Sequence, residues 1–353
     1  MKIQVFIIIG LLILFIMPPD LCGAVKRKEY TFITFDYERM PTSNVIDKII
    51  IPYMKELTGN KYNFNILYTG NTYDDKFIFH IFKNKKVKVT RDEKRIVKYI
   101  DGGFLGSEMM IKFCPDISVL TLPFIFNSYD EIRYICNILR EDFNSEMLKN
   151  GFFMPFIVDQ GFEQIYSNIR PVNSLSAFRS LKFGSYQGPI EKMALENIGI
   201  QHIKEIQRFE IGSTIRSGEM NAGIGQCLHF GLEFISVIHY YSMTNFRVMP
   251  AGAVVYTSVW NSMDPFLRNT IIQNQKIIED RYCNAIHDAI RKKMESMEKY
   301  GLKKVEFRKE ELLKVKEITK PVWNNMAGKL YSKFILGKLL NALSEYRLRV
   351  AKS

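Results

Sequence analysis

A strand, a helix and a second strand follow one another within some 40 residues of the N-terminal region, and that order constrains the fold more than any other feature. Tyr30-Thr31-Phe32-Ile33-Thr34-Phe35 alternates and is rich in strand formers. Thr42-Ser43 then precedes an apolar-periodic stretch through Ile46, Ile49, Ile50 and Tyr53 to Leu57, and Gly59 stops it. Phe64 to Tyr68 reads as the second strand. A parallel pair needs a crossover of this kind, so the sequence predicts an α/β protein with a largely parallel sheet.

The same alternation continues downstream. Residues 71–95 are polar and lysine-rich and read as a surface excursion, followed by Ile96 to Ile100 and a turn at Asp101-Gly102-Gly103-Phe104. Val119 to Phe124 is a short apolar run interrupted by Pro123. Ser128 opens a helix, with Glu131 placed to complete a capping box. Strands are expected at Phe152 to Val158, Gln164 to Asn168, Leu181 to Phe183 and Val248 to Val259. Gly184 to Gly188 reads as a loop, and Pro189 starts a helix to Ile198. Pro265 to Met297 holds one or two long helices. Lys309 to Leu313 and Ile318 to Leu343 are helical, with a break at Pro321.

The N-terminus reads as an export signal. Lys2 precedes an apolar run from Val5 to Met17, 13 residues long, well short of the ~20 that span a bilayer. Pro18-Pro19 ends it, and Cys22-Gly23-Ala24 offers small residues for cleavage after Ala24. Lipidation at Cys22 is disfavoured by its Pro19-Asp20-Leu21 context. The mature chain would be periplasmic.

The remaining 329 residues suffice for two domains. A net charge of +12 comes from scattered lysines, with clusters at Lys83-Asn84-Lys85-Lys86 and Arg291-Lys292-Lys293. These read as solvated faces, without the basic-aromatic interleaving of a nucleic-acid partner. Cys114, Cys136, Cys227 and Cys283 are widely spaced, with no C-x-x-C, and read mostly as buried thiols. The five histidines form no metal-ligand pair. Gly184-Ser185-Tyr186-Gln187-Gly188 is not a nucleophile elbow, and Gly223-Ile224-Gly225 lacks the third glycine of a dinucleotide site. No enzyme, cofactor or metal is expected. An exported two-domain α/β protein with aromatic residues beside Gly-rich turns fits a solute-binding role.

Pro115-Asp116-Ile117-Ser118-Val119-Leu120-Thr121-Leu122-Pro123-Phe124-Ile125-Phe126, followed by Ser128-Tyr129-Asp130-Glu131, resembles the extracytoplasmic solute-binding subunit of TRAP transporters, the tripartite ATP-independent periplasmic systems. The resemblance continues at Asp159-Gln160-Gly161-Phe162, Arg170-Pro171-Val172, Phe178-Arg179-Ser180-Leu181-Lys182-Phe183, Trp260-Asn261-Ser262-Met263 and Thr319-Lys320-Pro321-Val322-Trp323. It implies two α/β lobes, each with a twisted sheet, strands crossing near 158–162 and 246–252, and a long helix bracing both lobes. Lobe I would hold 25–160 and 249–285; lobe II would hold 161–248 and 286–353. The implied partners are a small-molecule ligand in the cleft and the membrane subunits of the transporter.

Two departures from the family pattern bear on the ligand. Gly184 stands where the family places an arginine that grips a carboxylate, and Glu163 stands at a second basic position. Lys182 or Arg216 could substitute. Without them, the sequence looks more like the subgroup that works with a tetratricopeptide-repeat partner, whose members carry an apolar pocket. That resemblance implies a cleft lined by Phe104, Phe162, Tyr186, Cys227, Leu228 and Phe230, with Gln160, Gln187 and Gln226 as orienting groups around Gly184, and an apolar or amphipathic ligand.

Overall fold

The computed structural model describes residues 28–70, 75–91 and 94–352; the signal-peptide reading of 1–24 and the thiol of Cys22 lie outside them. The strands are β1 (Lys28–Thr34), β2 (Tyr62–Tyr68), β3 (Lys86–Arg91), β4 (Lys94–Tyr99), β5 (Gly102–Gly106), β6 (Phe152–Ser167), β7 (Lys182–Ser185), β8 (His202–Glu205), β9 (Ala222–Gln226), β10 (Tyr240–Tyr256) and β11 (Lys303–Glu306). The expected crossover is present. β1 pairs in parallel with β2, and β5 lies parallel on the other side of β1. The connecting helix runs from Pro41 to Leu57 and widens into a π turn at Ile46–Ile50.

β6 and β10 are long enough to belong to two half-sheets. The first lobe is built on β2, β1 and β5; the second is built on β9, β7 and β8. Because both halves share the crossing strands, the hydrogen-bonded order β2-β1-β5-β10-β6-β9-β7-β8 is continuous, with β11 added beside β10. The two expected sheets are thus two ends of one path. The crossings anticipated near 158–162 and 246–252 fall inside β6 and β10.

The bracing helix is Gln275–Lys299, which lies along β6. Glu279 accepts the backbone N–H of Ile157 at 2.9 Å and both arms of Arg140 at 2.8 and 2.7 Å. Further along, Asp159 Oδ1 lies 2.6 Å from His287 Nε2. Gly161 has φ +94°, and a Cβ there would stand 2.3 Å from Ile290 Cδ1. Only glycine allows both that backbone conformation and that contact.

Several local readings change. Gly102 to Phe104 is not a turn but the start of β5, placed between β1 and β10. Its glycines permit close packing rather than reversal: a Cβ on Gly102 would stand 2.0 Å from Val254 O. The excursion at 71–95 contains a helix, Asp75–Asn84, and the β3–β4 hairpin. Ile81, Phe82 and Val87 anchor this insertion in the main core. Val119 to Thr121 closes a 3-10 turn, Pro115–Thr121. Gly184 and Ser185 belong to β7 instead of a loop. Ser128 Oγ accepts from Glu131 N as expected, but Glu131 Oε2 takes Asn127 N at 2.7 Å, and the carboxylate also binds Arg347. The four cysteines are buried and unpaired.

Two glycine substitutions should separate close packing from chain freedom. Gly102→Ala forces Cβ against main chain and should cost about 1–3 kcal/mol or more. Gly337, inside the helix Lys333–Val350, has nothing within 4 Å of a built Cβ; Gly337→Ala should stabilise by about 0.5–1 kcal/mol. Thermal unfolding reads both, and equal effects at the two positions would contradict the placement of β5.

Candidate functional site

The crossing strands carry a buried charge cluster. Glu163 on β6 and Arg247 on β10 are register partners, 0% and 1% exposed, with Arg247 Nε donating to Glu163 Oε2 at 2.5 Å. Glu191 lies on the other side of the guanidinium, 3.8 Å away. Gln187 Nε2 donates to Glu163 Oε1 at 2.5 Å. Glu191 sits in the first turn of the helix Pro189–Ile198. Its Oε2 accepts the N–H groups of Tyr186 and Gln187 at 3.2 and 2.9 Å, which fixes the segment carrying Tyr186.

Burial opposes the charge on Arg247, but Glu163 and Glu191 outweigh it and hold its pKa above the ordinary range. Burial raises the pKa of Glu191, Arg247 opposes the rise, and Glu163 adds to it. Two acids thus share one cation, and Glu191 is the one pushed toward its neutral form.

A cavity of about 180 Å³ opens between the lobes beside this cluster. Thr34, Asp36, Phe104 and Glu108 approach it from β1, β5 and the segments that follow them. Tyr186, Gln207, Arg208 and His229 approach it from the second lobe, and Gln160 lies at the crossing. Arg208 sits in a 3-10 turn, Arg208–Glu210, closed by a reciprocal Gln207–Glu210 capping box. It meets Glu233 at 2.8 Å. Burial disfavours its charge, but Glu233 and then Asp36, with smaller help from Glu108, raise its pKa. His229 is 4% exposed, and its Nε2 has no hydrogen-bond partner among the described residues. Burial, reinforced by Arg208, drives its pKa well below 6.5, so the ring is neutral at pH 7.

Of the residues expected at the site, Phe104, Gln160 and Tyr186 line the cavity. Gln160 is positioned by Tyr282, whose hydroxyl accepts from its Nε2 at 3.3 Å. Gln187 belongs to the charge cluster, and Gln226 Nε2 donates to the main-chain oxygen of Gln160 from behind the wall. Phe162 packs on Tyr129, and Phe230 packs on Tyr166, both in the interior. Cys227 and Leu228 are core residues, and burial pushes the Cys227 thiol up to about 12. Gly184 does not face the cavity: a Cβ there would meet Met220 Sδ at 2.6 Å and Ile206 Cδ1 at 2.8 Å. The space an arginine stem would need is filled.

The expectation of a cleft without a cation is therefore corrected, because Arg208 lines it. Neither suggested substitute does so: Lys182 is exposed, with its Nζ 3.4 Å from Gly218 O, and Arg216 is exposed at a helix end. The capping box that closes the Arg208 turn starts from Gln207 rather than the usual Ser or Thr, so it gives no standard capping signal in the sequence. His229, one of the five histidines that form no metal-ligand pair in the sequence, also lines the cavity. Among the described residues no group of three or more His, Cys, Asp or Glu side chains is placed to hold a metal. No helix among them is long and apolar enough to cross a membrane.

Two half-sheets joined by long crossing strands, braced by one helix and enclosing a polar cavity, define a two-lobed ligand-binding protein. Residues 53–330 match the model of the bacterial extracellular solute-binding proteins, family 7, and the chain belongs to that family. The fold is that of TRAP periplasmic solute-binding proteins. One from Ochrobactrum anthropi, with a C-terminus bound in the ligand-binding pocket, is 15% identical, with a TM-score of 0.77 over 92% of this chain and 97% of that one. One from Chromohalobacter salexigens with bound D-glucuronate is 14% identical, with a TM-score of 0.74 over 89% and 99%. The sugar acid binding protein of Advenella mimigardefordensis, in complex with galactonate, is 14% identical, with a TM-score of 0.75 over 91% and 99%. No curated protein sequence matches the chain.

The charge cluster generates two predictions. Arg247→Met strands Glu163 in the interior and should cost about 3–5 kcal/mol. Glu191→Gln keeps an acceptor for Tyr186 and Gln187 and removes the burial penalty on an ionised acid. A raised folded pKa gives the wild type stability at low pH that is lost as pH rises from about 4.5 toward the folded value. The wild type should therefore gain on the Glu191→Gln variant as pH falls from 8 to 5. Paired thermal melts across that range test this, and a constant difference would show that Glu191 stays ionised throughout.

Proposed function

We propose that this chain is the extracytoplasmic receptor of a TRAP-type transporter. It captures a small organic ligand between its lobes and presents it to membrane subunits driven by an ion gradient. The observation that carries this reading is that Arg208 of the second lobe lines the same cavity as Asp36 and Glu108 of the first. A ligand that contacts both walls binds the closed state better than the open one, which closure requires. Lobe I comprises 25–160 and 249–285, and lobe II comprises 161–248 and 286–353.

The guanidinium gives an acid group its partner, through parallel charge-assisted hydrogen bonds. The similar proteins with bound glucuronate, galactonate and succinate hold acids of this kind. Arg208 here takes over the task expected of Lys182 or Arg216. Phe104 and Tyr186 supply apolar contact beside it. The cavity of about 180 Å³ is little larger than one of ~150 Å³ that holds benzene, which suits a compact ligand. The role is binding without turnover. Export by residues 1–24 places the receptor in the periplasm. Its partners are the TRAP membrane subunits and, on the sequence resemblance, a tetratricopeptide-repeat protein.

The test is the ligand-induced rise in Tm across a panel of small carboxylates, hydroxy acids and amino acids. Arg208→Gln should weaken any ligand that raises Tm by about thirtyfold or more, the cost of losing a buried charged partner. Lys182→Ala and Arg216→Ala should leave the shift unchanged. A shift that survives Arg208→Gln intact would remove the cavity from consideration as the receptor site.

A further inference from the structure

The insertion between β2 and β5 presents a basic face to solvent. Residues 76–91 carry six lysines and arginines and no aspartate or glutamate. Val87 is buried against the main core, so the alternation of β3 turns Lys86 and Lys88 outward. Directly opposed residues of a hairpin share a face, and the register sets Tyr99 opposite Lys86 and Val97 opposite Lys88. Tyr99 is 74% exposed and Val97 48%. Basic and apolar side chains therefore interleave on one face, although they come from different strands and look unrelated along the chain.

Lys83, Lys86, Lys88 and Lys98 are exposed and form no ion pair among the described residues. In the other basic cluster, Arg291 is paired with Asp288 and Glu295, and Lys292 with Asp288. Lysines on an exposed strand discourage edge-to-edge pairing, which accounts for the charge but not for Tyr99 and Val97 in the open. Lys85 ties the hairpin to the lobe: its Nζ donates to Ser258 Oγ at 3.2 Å and lies 4.9 Å from the centre of the Tyr256 ring. Ile100 N donates to Lys85 O at 3.0 Å, just before β5 begins. The hairpin thus stands at the start of β5, whereas the cavity between the lobes lies toward the other end of that strand, at Phe104 and Gly106.

We propose that this face binds the surface of an anionic phospholipid bilayer. Lys86 and Lys88 meet the headgroup phosphates, Tyr99 and Val97 enter the boundary between headgroups and acyl chains, and Lys83 and Lys98 add charge at the margins. Each lysine near an anionic surface strengthens attraction about fivefold, and a tyrosine ring suits a boundary that is apolar on one side and wet on the other. The size of the face favours lipid over a protein partner. Two strands of six residues present a strip of about 20 Å by about 10 Å, a few hundred Å² at most, against the ~800 Å² that each partner gives to a specific protein interface. A second copy of the chain would bring like charges together. Contact at this end of the lobe leaves the cavity uncovered and is independent of which ligand the cleft holds.

Co-sedimentation with vesicles tests this on the exported chain, recovered from the soluble periplasmic fraction. The wild type should bind vesicles of phosphatidylcholine containing one-third phosphatidylglycerol at low salt, and pure phosphatidylcholine vesicles at least about tenfold less tightly. It should leave the anionic vesicles at ~0.5 M salt, where charges are screened over a few ångströms. Lys86→Gln combined with Lys88→Gln should weaken binding about tenfold or more; Lys83→Gln combined with Lys98→Gln tests the same attraction should the first pair disturb the hairpin. Tyr99→Ser should weaken binding without changing its salt dependence. Arg291→Gln combined with Lys292→Gln should leave it unchanged. Absence of binding to anionic vesicles, equal binding to both vesicle types, or binding that the Arg291 and Lys292 changes weaken as much as the hairpin changes do overturns the inference. So does tighter binding to soluble polyglutamate than to the vesicles with Tyr99→Ser lacking effect, which would assign the face to an acidic protein.

Discussion

The two lobes are held to one another through β6 and β10, and those strands are joined by a buried ion pair, Glu163 with Arg247. A buried pair of this kind is weak evidence for stability, since apolar replacements are often neutral or better. Its effect here is positional. Glu163 reaches Gln187, Arg247 approaches Glu191, and Glu191 ties down the backbone of Tyr186. One guanidinium thus orders the crossing strands and the aromatic wall of the cavity together. Loss of the arginine would leave two acids without compensation, whereas loss of Glu191 alone removes a charge that burial disfavours.

The displacement of the cation from β7 to the turn after β8 follows from packing. Met220 and Ile206 occupy the space above Gly184, so a long side chain at this position would displace them. Arg208 reaches the cavity from a turn stabilised by its own capping box. The acid partner of a ligand therefore comes from a different element, while the cavity keeps its place between the lobes. Asp36 and Glu108 line the same cavity from the other lobe.

Much of the architecture was legible from periodicity and caps. The β1-helix-β2 crossover, the Ser128 cap, the helix Pro189–Ile198 and the two crossings all lie where the sequence places them. The misreadings share one cause: a residue type that serves two geometries. Gly102-Gly103 looks like a turn, yet the glycines are there because β10 approaches too closely for a Cβ. Phe162, Cys227 and Phe230 look like lining, but strand and helix pattern does not say which buried face meets a cavity. Arg208 is distant in sequence from the motif residues, and His229 stands between Leu228 and Phe230 but faces the cavity where they do not; the three-dimensional approach of the turn after β8 and the segment after β9 brings the two together.

β10 does not keep register along its length. Its pairing with β6 shifts between Ser242 and Arg247, again between Val248 and Pro250, and once more between Ala253 and Val255. Bulges of this kind interrupt a ladder and increase local twist, and Pro250 at one of them has no N–H to contribute. The connection between the lobes is consequently compliant in bending while remaining continuous as a chain. Relative rotation of the halves can be absorbed where ladder bonds are already interrupted, so the elastic cost of closing is small compared with that of shearing a regular two-stranded ribbon.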